Sequence, residues 1–301
     1  MTRRPSGASL AGQVLLGGDR PVQRIGYGVM QLLGPAGFGP PPDRPHAIHV
    51  LRRAAALGIT YINSANAYGP HHANDLIAAA LHPYGEIVIG NKIGPTRGAD
   101  GSFGLDLRPE SLRRALQEAL RHLQLEVAEL AILRADGDLP AKSAVPWEEA
   151  VSAMADLQQA GDIKRIGVSG VTLDQLRRAR AIVRVDAVEN RYNLWDRQAE
   201  AVLADCEAHG TMFTPYQPLN AGTLPAGGVL GALARRLEAT PAQIALAWLL
   251  KRSSVIVCIP GTRSLAHLEE NVGAAALAER LTDADVAALA QPAAFTPNGG
   301  E

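Results

Sequence analysis

The stretch Gly58-Ile59-Thr60-Tyr61-Ile62-Asn63-Ser64-Ala65-Asn66-Ala67-Tyr68-Gly69 reads as a short buried strand that breaks into a polar loop carrying a tyrosine. Further along, a second apolar run, Ile87-Val88-Ile89-Gly90, ends on Asn91-Lys92. Strand ends that each deliver one titratable residue are what a closed parallel barrel presents at its catalytic face. A tyrosine beside a lysine suits proton transfer, because a nearby cation favours the phenolate. Tyr68 and Lys92 are therefore the first candidates for chemistry.

Working outward, residues 13–16 and 22–24 flank a Gly17-Gly18-Asp19 turn and read as a β-hairpin. Ile25-Gly26-Tyr27-Gly28-Val29-Met30 reads as a first barrel strand, and the Gly/Pro-rich segment 33–42 as a loop. Asp43 can cap a helix running through Leu57. Strands are then expected at 61–63, 87–91, 130–133, 163–168, 185–189, 211–215 and 255–259. Helical patterns fall near 74–81, 109–123, 147–160, 173–182, 197–209 and 241–251. Pro109 stands at a helix start, where its missing N–H costs nothing, and Gly161 where a C-terminal glycine belongs. Steady βα alternation implies a parallel sheet, and eight strands imply closure. A doubly wound open sheet is the rival, but no Gly-x-Gly-x-x-Gly follows a strand and opens a helix. The expectation is an α/β fold: a single (β/α)8 TIM barrel with an N-terminal β-hairpin, residues 1–301 forming one domain.

Composition bounds the partners. The chain of 301 residues is 47% hydrophobic and 20% charged, enough for a large core. A net charge of -1 from 29 basic and 30 acidic residues, interspersed along the chain, argues against nucleic acid or a membrane surface as the main partner. No stretch approaches the length of a membrane span, and the basic start Met1-Thr2-Arg3-Arg4-Pro5-Ser6-Gly7 is followed by no secretory apolar run. Cys206 and Cys258 sit in no metal or redox spacing, and the histidines, His71 and His72 included, suggest no metal site. A cytoplasmic protein acting on a small molecule is expected. Oligomeric state leaves no signature.

The pattern Gly-Ile-x-x-x-(Asp)-x-Ala-x-x-Tyr-Gly, followed by a strand ending in Lys, resembles the aldo-keto reductases, with Asn63 where that family has Asp. The resemblance extends from Arg24 to about Leu289. In Glu129-Leu130-Ala131-Ile132-Leu133-Arg134-Ala135-Asp136, Arg134 takes the place of the family's histidine. The run Ile259-Pro260-Gly261-Thr262-Arg263, then His267-Leu268-Glu269-Glu270-Asn271, resembles the family's dinucleotide phosphate segment. A glycine turn feeding a helix N-terminus is a natural anion seat. The resemblance implies NADPH as cofactor. Gly261, Thr262, Arg263 and His267 would belong to the phosphate segment, with Thr262 and Arg263 on the ribose phosphate and Glu270 and Asn271 on the adenine edge. By the same resemblance Tyr216 would stack on the nicotinamide and Ser169 would bond its carboxamide, while Glu189 and Gly170 replace the family's Gln and Asn.

The departures at Asn63, Arg134, Gly170 and Glu189 all fall where nicotinamide and substrate should meet. Two of these replacements add a positive unit and one removes it, leaving the pocket about one charge more positive than the pattern. Without an aspartate, Lys92 is expected to lose its anionic partner, and Arg134 to add a second cation near the phenol; both should push Tyr68 toward phenolate unless Glu189 pairs with one of the cations. The resemblance implies an NADPH-dependent oxidoreductase reducing an aldehyde or ketone, with an anionic, carboxylated substrate steered by Arg134 and Tyr68 acting more as base than the family norm. Catalysis would then rest on Tyr68, Lys92, Asn63 and Arg134. The alternatives are a non-redox lyase, dehydratase or isomerase on the same scaffold, or a silent NADPH-binding protein.

Overall fold

The computed structural model of the protein describes residues 7–137, 142–224 and 227–291. The basic first six residues, and residues 138–141, 225–226 and 292–301, lie outside them. The hairpin is present as β1 (Gln13–Leu16) and β2 (Arg20–Gln23), paired antiparallel with Gln13 opposite Gln23. Next come β3 (Tyr27–Gly28), α1 (Arg44–Ala56), β4 (Tyr61–Ala65), α2 (His72–Leu81) and β5 (Val88–Ile93). A small antiparallel pair, β6 (Pro95–Arg97) and β7 (Phe103–Leu105), precedes α3 (Pro109–Leu123). The alternation resumes with β8 (Leu130–Arg134), α4 (Trp147–Gln159), β9 (Ile166–Ser169), α5 (Leu173–Arg180), β10 (Ala187–Arg191), α6 (Glu200–His209) and β11 (Met212–Tyr216). Four helices complete the order: α7 (Gly228–Arg236), α8 (Pro241–Arg252), α9 (Leu265–Ala278) and α10 (Asp283–Leu289).

Seven strands form one parallel sheet in the order β11-β10-β9-β8-β5-β4-β3. Residues 255–259 close it into the expected (β/α)8 barrel. They bridge Phe213 to Ile256 on one side and Ile25 to Cys258 on the other. Val257 N–H donates to Phe213 O and Gly26 N–H to Cys258 O, at 2.9 and 2.8 Å. Arg24, half-buried beneath this seam, donates to the carbonyls of Leu250 and Ile256 at 2.6 and 3.1 Å. The expected eighth strand thus contributes bridges rather than a regular ladder, and regular pairing in the expected first strand is confined to Tyr27 and Gly28.

The core has two parts, set by the two-residue period of the strands. Inward positions Tyr61, Val88, Leu130, Ile132, Ala187 and Met212 pack together inside the barrel, and Val14, Leu16 and Val22 of the hairpin belong to the same cluster. Outward positions such as Ile62, Ile89, Leu133, Val188 and Phe213 meet the helices instead. Helix ends follow their sequence signals. Asp43 caps α1 by accepting from His46 N, and Thr172, Thr240 and Thr282 each complete a capping box. Gly161 takes φ +87° just beyond α4.

Gly90, inward on β5, faces the buried Tyr61 ring. A methyl group there would lie 2.8 and 2.9 Å from two ring carbons. Neither the ring nor the strand has room to move in a packed interior. Gly90→Ala is therefore expected to lower stability by about 1–3 kcal/mol, read from the urea midpoint.

Candidate active site

Strand parity carries the candidate residues to one place. Continuing the inward series past the apolar layer gives Asn63 on β4, Lys92 on β5, Arg134 on β8, Ser169 on β9 and Glu189 on β10. Register aligns Arg134 with Ser169 and Ser169 with Glu189, and sets Lys92 opposite Ala65, two residues past Asn63. All five are buried. Tyr68, half-buried, follows β4 on its loop, and Tyr216 ends β11.

Lys92, 5% exposed, is the hub. Its Nζ donates to Asn63 Oδ1 at 2.6 Å and to both Glu189 oxygens at 3.0 and 3.2 Å. Asn63 Nδ2 donates onward to Glu189 Oε2 at 2.7 Å. The Tyr68 ring centroid lies 5.3 Å from Nζ. Burial alone would push the Lys92 ammonium toward neutrality, but Glu189 and Tyr68 outweigh it, and Lys92 holds its proton above the ordinary lysine range. Burial, reinforced by Glu189, pushes the Tyr61 phenol upward, so it stays neutral beneath the pair. The expectation that Lys92 lacks an anionic partner is thus corrected. The carboxylate comes from across the barrel, and the exception reserved for Glu189 is the one realised.

Arg134 lies with its guanidinium carbon 5.5 Å from the Tyr216 ring centroid. Gly170, at φ +67°, makes space for it, because a methyl group built there falls on Nη1 of Arg134. The family's Asn at 170 is incompatible with Arg134 in this position, so these two departures belong together.

The Tyr68 loop is fixed by groups that sequence reading missed. Asn66 N–H donates to Lys92 O at 3.1 Å. The Asn66 side chain accepts from Asn91 and Asn74 at 2.8 and 3.2 Å, and Asn74 accepts from Ser64 Oγ at 2.7 Å. Ser64 and Asn91 are polar at outward strand positions where an apolar residue is the rule, which was the available signal. His71 stacks on His122 with centroids 4.4 Å apart, and His72 lines a surface groove of about 480 Å³ with Arg44 and Asp75. None of the inward-facing residues lines that groove. Among the described residues, no group of three or more His, Cys, Asp or Glu could hold a metal ion.

The segment expected to hold the dinucleotide opens α9. Ser264 caps the helix by accepting from His267 N at 3.3 Å, and Ser264 N–H donates to Thr262 Oγ1 at 3.0 Å. The Tyr27 hydroxyl donates to Thr262 O, and His46 Nε2 lies 2.7 Å from Arg263 O. Arg263 and His267 are exposed, Glu270 is half-buried and Asn271 buried. This turn can seat an anion on the first α9 amides with a cation beside it. Deeper in, Ser169 is 1% exposed and its hydroxyl has no hydrogen-bond partner among the described residues. Such a buried group suits an external amide.

With this geometry in place, the comparisons are specific. The aldo/keto reductase family profile matches residues 24–293, and the chain belongs to that family. Pyridoxine 4-dehydrogenase of Escherichia coli (strain K12) is 44% identical over 262 residues, covering 85% of this chain and 91% of that protein. An uncharacterized oxidoreductase of Schizosaccharomyces pombe is 36% identical over 272 residues, covering 90% and 87%. Among solved structures, a thermostable aldo-keto reductase in complex with the inhibitor epalrestat superposes with a TM-score of 0.78 at 27% identity, covering 96% of this chain and 99% of that one. An aldo-keto reductase from Klebsiella pneumoniae in complex with NADPH shares the fold, with a TM-score of 0.77 at 24% identity over 92% and 93% of the two chains.

The Gly170–Arg134 contact is testable without any substrate. Gly170→Ala is expected to cost about 1–2 kcal/mol of backbone strain in any background. The additional displacement of the guanidinium should appear only when Arg134 is present. A double-mutant cycle with Arg134→Ala, read by urea midpoints, should therefore show a coupling of about 1 kcal/mol.

Proposed function

We propose that the protein interconverts pyridoxal and pyridoxine with NADP(H), using Tyr68 as proton donor and Lys92 as its charged neighbour. The observation that carries this is Arg134, a buried guanidinium facing inward at the end of β8, with its guanidinium carbon 5.5 Å from the Tyr216 ring. Pyridoxal bears an ionised phenolic oxygen next to its aldehyde, and a guanidinium fork suits such an oxygen. The likeness to a pyridoxine dehydrogenase at 44% identity points the same way. Arg134 would hold the ring oxide and keep the neighbouring aldehyde against Tyr68.

The cofactor reading rests on residues that fit it. Thr262, Arg263 and the amides opening α9 would hold the ribose phosphate, Ser169 the carboxamide, and Tyr216 the nicotinamide face. When bound, NADPH supplies the hydride. On reduction the carbonyl oxygen takes its proton from Tyr68, and the Lys92 ammonium stabilises the negative oxygen left behind. In the reverse direction Tyr68 accepts the proton. An intact ammonium beside a tyrosine supports redox chemistry over the non-redox and silent alternatives, because both halves of the proton-transfer pair are retained.

NADPH consumption with pyridoxal, set against neutral aromatic aldehydes, tests the proposal. Tyr68→Phe should lower kcat about 10²–10⁴-fold. Arg134→Ala should raise KM for pyridoxal about tenfold while leaving neutral aldehydes within about threefold. Equal effects on both substrate classes would sink the role of Arg134, and absence of turnover by the wild type would sink the activity.

Cofactor choice has its own check. Arg263→Ala should weaken NADPH binding about tenfold and leave NADH binding unchanged, as read by fluorescence titration.

A further inference from the structure

We propose that Glu189 is the carboxylate partner of the Tyr68–Lys92 pair, the amide and carboxylate of the family arrangement having changed places between β4 and β10. Resemblance alone assigns position 189 to the cofactor. The geometry assigns Glu189 to Lys92 instead. Both carboxylate oxygens lie within 3.2 Å of Lys92 Nζ, and the second also accepts from Asn63 Nδ2 at 2.7 Å. Asn63 presents its oxygen to Lys92 and its amide to Glu189, which is the only orientation that satisfies both neighbours. Glu189 is 3% exposed and Lys92 5%, so neither charge can turn to solvent for compensation.

Position 63 and position 189 are interchangeable in this respect because both face inward around the same ammonium. Moving the carboxylate from one to the other keeps the number of charges at the site. Glu189 touches no reacting atom. It is a positioning residue, acting through Lys92 on Tyr68.

The test uses three variants of the full chain: Glu189→Gln, Asn63→Asp, and the two together. The role of Tyr68 and Lys92 rests on the activity proposed above, so kinetics and stability are read separately. Glu189→Gln restores the family residue at 189 yet leaves Lys92 without a carboxylate. It should lower kcat for pyridoxal about 10²-fold with the Kd for NADPH changed less than about threefold. Asn63→Asp puts a second carboxylate on one ammonium and should lower both kcat and the thermal midpoint. The double variant should recover kcat to within about threefold of wild type, and its midpoint should rise above that of either single variant.

If Glu189→Gln is as active as wild type, or weakens NADPH while kcat stands, Glu189 serves the cofactor and the proposal is overturned. A double variant as impaired as the two single effects combined overturns it as well. Should Glu189→Gln fail to fold, folding restored by Asn63→Asp supports the exchange, and folding not restored refutes it. Should the wild type reduce no carbonyl at all, the proposed activity fails alone, and the midpoints of the four proteins still decide whether the carboxylate has moved.

Discussion

A lysine ammonium enclosed in a barrel must have a carboxylate beside it, and much of this active site follows from that requirement. Lys92 is buried by the strands around it, and removing one member of such a pair typically costs 3–5 kcal/mol, roughly, because the other charge is stranded. The requirement fixes that a carboxylate be present but not which strand supplies it. Inward positions on several strands converge on the same point, so the pair can be closed from β4 or from β10. Here it is closed from β10, through Glu189 at 3.0 Å. The contact also ties two distant parts of the sheet, since β8 and β9 lie between β5 and β10.

The four departures from the family pattern resolve into two coupled pairs. Asn63 and Glu189 exchange an amide for a carboxylate and share hydrogen bonds with Lys92. Arg134 and Gly170 exchange volume, because the space a side chain would fill at 170 is taken by the guanidinium. Each member of a pair reads as damage when considered singly. Taken together they conserve charge in one case and room in the other. The positive charge that Arg134 brings to the pocket lies near Tyr216.

Much of this was legible in the sequence, for identifiable reasons. Apolar runs ending on polar residues mark the strands, and counting by twos from Tyr61, Val88, Leu130 and Ala187 places Asn63, Lys92, Arg134 and Glu189 inside the barrel. Asp43 and Pro109 mark helix starts. The partner of Lys92 was not legible, because it stands 97 residues away and no local pattern says which inward residue reaches across. The hairpin of β6 and β7 escaped because three-residue strands separated by Gly and Asp carry no period. Helix α10 escaped although Thr282 and Asp285 write a capping box, a signal that was present and unused. The closing segment 255–259 has the apolar composition of a strand but only isolated bridges, since the seam is also tied by Arg24 to backbone carbonyls.

The position of Tyr68 explains why such an exchange is tolerated. Its loop is held by a backbone hydrogen bond from Asn66 to Lys92 O and by the neutral network of Ser64, Asn66, Asn74 and Asn91. None of these groups carries charge, and all are buried. Neutral buried hydrogen bonds keep their geometry when the local charge distribution changes, provided every partner is retained. The distance from phenol to ammonium is thus set by the scaffold, and the ammonium's protonation is set separately by the carboxylate. With those two tasks assigned to different residues, the carboxylate is free to move around the barrel without disturbing the tyrosine, and the inward face at Arg134 and Gly170 is free to change without disturbing either.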